Sequence, residues 1–246
     1  MNKSEVLGRK IKPSTITVES GSKFIGAVFL YMFLALVITG VVAGGVGALL
    51  QYVVFPMEST AGVNIYAIVL ITSLILYIPT MIWVQVSAIR KSKGMVPAYV
   101  IYAITMGILM SSFTYFIDFY QIAMAFGMTC LAFGLMALIA WFSKKNLRTA
   151  GLIASGLIFG SMMILFITLP LQFFFPGFFD PLMAGISLIM LIAVIIITAV
   201  DLRNVKEIAS HGGAENNVAL LCALNLYVDF VYIFIRLLAL ISRLKR

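Results

Sequence analysis

Six uncharged and mostly apolar runs follow one another along this chain, at residues 24 to 57, 59 to 89, 94 to 117, 119 to 143, 149 to 179 and 181 to 200. A helix needs ~20 such residues to cross ~30 Å of hydrocarbon, and in lipid its backbone groups must be satisfied within the segment, so each run predicts a spanning helix. A seventh run, from about 219 to 242, is interrupted by Asp229 and Arg236 and is otherwise apolar. Apolar residues make up 63% of the 246 and charged residues 11%, more apolar surface than a water-soluble core could hide. The expectation is an all-α polytopic integral membrane protein of seven transmembrane helices with the last helix central to the bundle. The expected spans are 24–52, 65–89, 96–117, 121–143, 150–174, 183–203 and 218–242. They form a single membrane domain, 24–246, behind a polar cytoplasmic tail, 1–23.

The net charge of +8 does not call for nucleic acid, because the basic residues are scattered between spans. The tail to Lys23 holds five Lys or Arg, the loops at 90–93 and 144–148 three each, and the stretch after Asp201 two. Loops on the other side hold none, which predicts a cytoplasmic N-terminus. Arg243, Lys245 and Arg246 break the pattern, since seven crossings put them outside. The first apolar run is too long for a signal-peptide core. Cys130 and Cys222 lie in apolar helices without metal-ligand spacing and read as packing residues. Gly40 and Gly44, with Gly45 and Gly47 beside them, and Gly156 and Gly160 have the spacing that lets helices approach closely in lipid.

Asp229 is the anomaly. Ten residues into the last run it falls ~15 Å from the helix start, near mid-bilayer, where a carboxylate costs ~3 kcal/mol and normally faces the bundle interior. Asn225, Tyr232 and Arg236 share its face and make a narrow polar stripe. The bland reading is an ion pair between Asp229 and Arg236, or an Arg236 that snorkels to the interface. Asp201 closes the sixth run on the basic side, where an anion at a helix C-terminus would oppose the macrodipole. Two carboxylates on consecutive antiparallel helices that share a site resist simultaneous ionisation. One shared proton holds them together, and its loss leaves two repelling anions that would part or hold a cation. For Ca²⁺, which wants six to eight oxygens, Asp201 and Asp229 alone make a weak site suited to passage.

At these residues the chain resembles the Bax inhibitor-1 family, also called the transmembrane Bax inhibitor motif or lifeguard family. Ala223-Leu-Asn-Leu-Tyr-Val-Asp-Phe-Val-Tyr-Ile-Phe-Ile-Arg-Leu-Leu238 is similar to the family's closing helix, and Asp201-Leu-Arg-Asn-Val-Lys-Glu-Ile208 to the end of the helix before it. Val200 stands where the family usually has Tyr, and the second span lacks the Glu of some bacterial members. The resemblance implies a bacterial-type protein of the plasma membrane, a pH-sensitive calcium leak in which Asp201 and Asp229 form the pH-sensing pair. It also implies a basic latch at the cytoplasmic end of the second helix, for which Arg90 is the candidate and Lys91 the substitute. Ca²⁺ is then the transported ion, with protons, and no cofactor is expected.

Two other functions compete with this one. An intramembrane aspartyl protease would need Gly-x-Gly-Asp and Pro-Ala-Leu segments, which are missing, and the one histidine, His211, lies in a polar His-Gly-Gly stretch rather than where it could serve a buried nucleophile. No enzyme is therefore expected. The alternative is a non-conducting regulator that binds other membrane proteins, such as a membrane protease or a stress-pathway or apoptosis-pathway partner. Ser111, Ser112, Thr114 and Tyr115 could line a pathway, but membrane Ser and Thr often bond to their own backbone.

Overall fold

The computed structural model describes residues 18–50, 52, 60–90, 94–113, 117–142, 148–175, 180–211 and 216–244. Among them run seven helices: α1 (Val18–Leu49), α2 (Thr60–Ile89), α3 (Met95–Met110), α4 (Phe119–Phe142), α5 (Arg148–Phe174), α6 (Asp180–Ser210) and α7 (Asn216–Leu244). Six are long and apolar enough to cross a membrane, and α3, at 16 residues, is a shorter apolar helix. There is no strand among the described residues. This is the all-helical membrane architecture that the succession of apolar runs requires. Residues 1–17 of the expected tail and the last two residues lie outside the described part.

The last helix is the hub. α7 packs against α1, α2, α3, α4 and α6, whereas α5 packs chiefly on α6. Half of α7's apolar window is buried, against 11% for α5. The cause is in the sequences. Phe33, Ile75 and Phe166 are among many large side chains turned outward from helices that are apolar all round, as a lipid solvent allows. Only α7 concentrates polar groups on one face, so it alone gains by sitting inside, with Leu226, Tyr227, Ile233 and Leu238 almost wholly covered.

Two expectations are corrected. A Cβ at Gly40, Gly44, Gly45, Gly156 or Gly160 would meet nothing within 4 Å, so these glycines do not bring helices together. A spacing of four fixes a shared face but not what that face meets: Gly40 and Gly44 border a cavity, and Gly156 and Gly160 are exposed. Close approaches are at Gly21 of α1, where a Cβ would lie 2.7 Å from the Ala209 carbonyl oxygen, and at Gly107 of α3, where it would lie 2.8 Å from the Thr39 carbonyl oxygen and 2.8 Å from Val42 Cβ.

The second correction concerns Asp201. It does not end its helix, because α6 continues to Ser210. Leu202, Val205 and Ala209, buried at helical spacing, carry the helix on, and Ala209 meets the first turns of α1 at Gly21. The macrodipole argument for Asp201 therefore lapses, since that field acts within the last turn.

Candidate functional site

Asp229 is the fourteenth of the 29 residues of α7, ~20 Å from the helix start and at its midpoint. Its side chain turns toward α6, where Thr198 and Asp201 stand one turn apart on a single face. Thr198 lies close to the Asp229 carboxyl, and Asp201 is near enough for the two carboxyls to interact electrostatically. One oxygen of the Asp229 carboxyl, Oδ2, is buried and has no hydrogen-bond partner among the described residues. Asn204, one turn beyond Asp201, lies beside the Asp201 carboxyl.

Both acids line one cavity of about 120 Å³, bordered also by Met81, Val84 and Gln85 of α2 and by Tyr102 of α3. Asp201 and Asn225 also line a second, larger and more open space of about 630 Å³ near the basic end of the bundle, between the end of α6 and the start of α7. Glu207, His211 and Cys222 border it. Asp201 and Asn225 thus form the wall between an open vestibule and the cavity that holds Asp229. His211 is exposed at the end of α6, its Nδ1 2.8 Å from the Glu207 carbonyl oxygen.

No described cation neutralises the pair. Arg236 donates to Ser187 Oγ at 3.2 Å, Met190 Sδ at 3.2 Å and Tyr232 OH at 2.8 Å, and its guanidinium lies over the Tyr232 ring. The ion pair with Asp229 is therefore not formed, and the stripe divides: Asn225 faces the acids, while Tyr232 and Arg236 face Ser187 and Met190. Lys206 donates to the Trp141 carbonyl of α4. Arg203, two residues from Asp201 and so on another face, has a buried Nη1 without a partner. Arg90 is exposed just past the end of α2 and borders neither space, and Lys91 lies outside the described residues. Ser111 and Ser112 bond back to the carbonyls of Ile108 and Leu109, and Thr114 and Tyr115 are outside the described residues.

The sequence reading passed over a layer of tyrosines beyond the acids. Tyr77 OH and Tyr102 OH are 3.2 Å apart, Tyr102 and Tyr227 meet edge to face at 6.0 Å between ring centroids, and Tyr227 OH is 2.7 Å from Thr39 Oγ1. Thr39 also donates to the Ala103 carbonyl at 3.1 Å. Each residue comes from a different helix, so no periodicity in one segment marks them.

Comparison with known proteins bears on this site. A family model described as Bax1-I, inhibitor of apoptosis-promoting Bax1, matches residues 21–246. The chain is also 29% identical over 159 residues to the uncharacterized protein YrjE of Lactococcus lactis subsp. lactis (strain IL1403), covering 62% of this chain. The match spans 64% of that relative's length.

Proposed function

Given that this chain belongs to the Bax1-I, or Bax inhibitor-1, family of membrane proteins, we propose that it is a pH-sensitive Ca²⁺ leak gated by Asp201 and Asp229. The observation that carries the reading is the shared cavity: two half-buried acids on successive helices border one small space, and no described Lys or Arg pairs with either. An acid in such a place is expensive and normally marks a pathway or relay.

The geometry supports a proton-dependent state. Thr198 has one hydroxyl proton, and its Oγ1 is 2.8 Å from the Val194 carbonyl oxygen. With that proton given to Val194, the Thr198 hydroxyl offers Asp229 only lone pairs, which a protonated carboxyl can meet and a carboxylate cannot. A proton on Asp229 also relieves its repulsion with Asp201. Removal of the proton leaves two anions beside Asn225 and Gln85, four side chains that together offer oxygens to a hard cation. Such a site is weak by ligand count, which suits passage rather than storage. Ca²⁺ would arrive through the vestibule, whose Glu207 adds to the local negative potential.

In this reading the basic loops and the vestibule face the cytoplasm of a bacterial plasma membrane, and Arg90 reaches Asp201 in a state more closed than the one described. The rival reading, a non-conducting regulator of other membrane proteins, draws on the family description, which names inhibition of a protein. Purified protein in sealed liposomes separates them: Ca²⁺ flux that changes between about pH 6 and 8 supports the leak. Absence of flux throughout that range supports the regulator.

A further inference from the structure

Beyond the acids, the space that follows among the described residues is apolar. A third cavity, of about 390 Å³, lies among α1, α3, α4 and α7, and its walls are apolar apart from the Thr39 hydroxyl. Along α7 the spaces follow in order: Cys222 and Asn225 border the vestibule, Val228 and Asp229 the acid cavity, and Val231 and Phe234 the apolar cavity. Tyr227 borders none of these spaces but touches a residue of each of the last two, Tyr102 and Thr39, and it is completely buried, as Tyr102 nearly is at 1% exposure. Tyr102 borders the acid cavity, and Thr39 borders the apolar one.

We infer that Tyr102 and Tyr227, fixed by hydroxyl contacts with Tyr77 and Thr39, form the permeation barrier of this protein. The inference rests on the leak reading for its physiological meaning, but the barrier itself is a statement about water. Two buried rings in edge-to-face contact leave no room for a hydrated ion. The apolar cavity behind them favours a dry state, since a water there would find few of the polar partners it needs. Hydrophobic constrictions of this kind close pathways by dewetting.

The Thr39 to Tyr227 contact is the part of the barrier that ties α1 to α7, and its geometry is demanding. Thr39 Oγ1 reaches both Tyr227 OH and the Ala103 carbonyl, so this hydroxyl joins α1, α3 and α7 at a single point. The backbone around it is tight, because the Thr39 carbonyl lies against Gly107. Loss of the hydroxyl frees the Tyr227 ring without emptying the space it fills. The acids are untouched by that change, so the barrier and the proton sensor are separable.

The test uses the full-length protein in nanodiscs and a charged, water-soluble methanethiosulfonate reagent. Cys222, in the vestibule, should react quickly. With Cys130 and Cys222 replaced by Ala, a cysteine introduced by Val231→Cys, beyond the barrier, should react at least about tenfold more slowly. Adding Thr39→Val or Tyr227→Phe should remove most of that difference, Thr39→Ser should preserve it, and the two hydroxyl-deleting variants should raise Ca²⁺ flux in liposomes while keeping its pH dependence. Equal reactivity at the two positions in the unmodified barrier would overturn the inference. So would slow labelling that stays slow in folded Thr39→Val and Tyr227→Phe proteins. If labelling responds as expected but no variant passes Ca²⁺ at any pH, the barrier stands and the leak reading fails.

Discussion

Arg236 and Asp229 lie about two turns apart on one face of α7 and do not pair. The guanidinium donates across to Ser187 and Met190 of α6 and to Tyr232, whereas the carboxyl turns to Thr198 and the cavity it shares with Asp201. One polar stripe therefore serves two purposes, helix-to-helix attachment at one end and an uncompensated acid at the other.

That division predicts a split between stability and ion-linked behaviour. Arg236→Met should lower the stability of detergent-solubilised protein by about 1–3 kcal/mol through the loss of charged hydrogen bonds. The pH profile of Ca²⁺ flux should keep its shape. A profile flattened to the same degree as that of an aspartate variant would tie Arg236 to the acids after all.

The glycines should rank by contact rather than by spacing. Gly107→Ala presses a methyl against the Thr39 carbonyl and should cost about 1–3 kcal/mol, as overpacking does. Gly44→Ala meets nothing within 4 Å and should be neutral or stabilising by up to about 1 kcal/mol from helix propensity. Thermal unfolding in detergent compares them, and an equal effect at both positions would contradict the packing described.

Arg90→Ala tests the latch. An exposed cation that closes onto Asp201 only in a tighter state contributes ~1 kcal/mol, so its loss should raise basal leak about fivefold. Unchanged leak would remove Arg90 from the mechanism and leave Lys91 or no latch at all.

Sidedness follows from the number of crossings. If all seven helices cross, the two ends of the chain lie on opposite faces. A cysteine appended after Arg246, in a background with Cys130→Ala and Cys222→Ala, should then be labelled only from the face opposite the basic loops. Labelling from the basic-loop face alone would mean that one helix, with α3 the shortest at 16 residues, does not cross.

The succession of apolar helices and the oddity of Asp229 were legible in sequence because both depend on local composition: a charge at the middle of an apolar run is visible without coordinates. Asn225, one turn away, was legible for the same reason, and it does border the acids. The tyrosine layer was not, since Tyr77, Tyr102 and Tyr227 each look like ordinary apolar packing until three helices bring them together. The glycine spacing misled because it names a face and not its neighbour. Asp201 looked terminal because charges cluster after it, yet Leu202, Val205 and Ala209 keep the helix going underneath those charges.

The most direct test of the aspartate pair is Ca²⁺ flux from proteoliposomes across about pH 6 to 8 for the unaltered protein, Asp201→Asn and Asp229→Asn. The pair mechanism predicts that each substitution abolishes or flattens the pH dependence. Profiles that keep their shape and midpoint in both variants would contradict it.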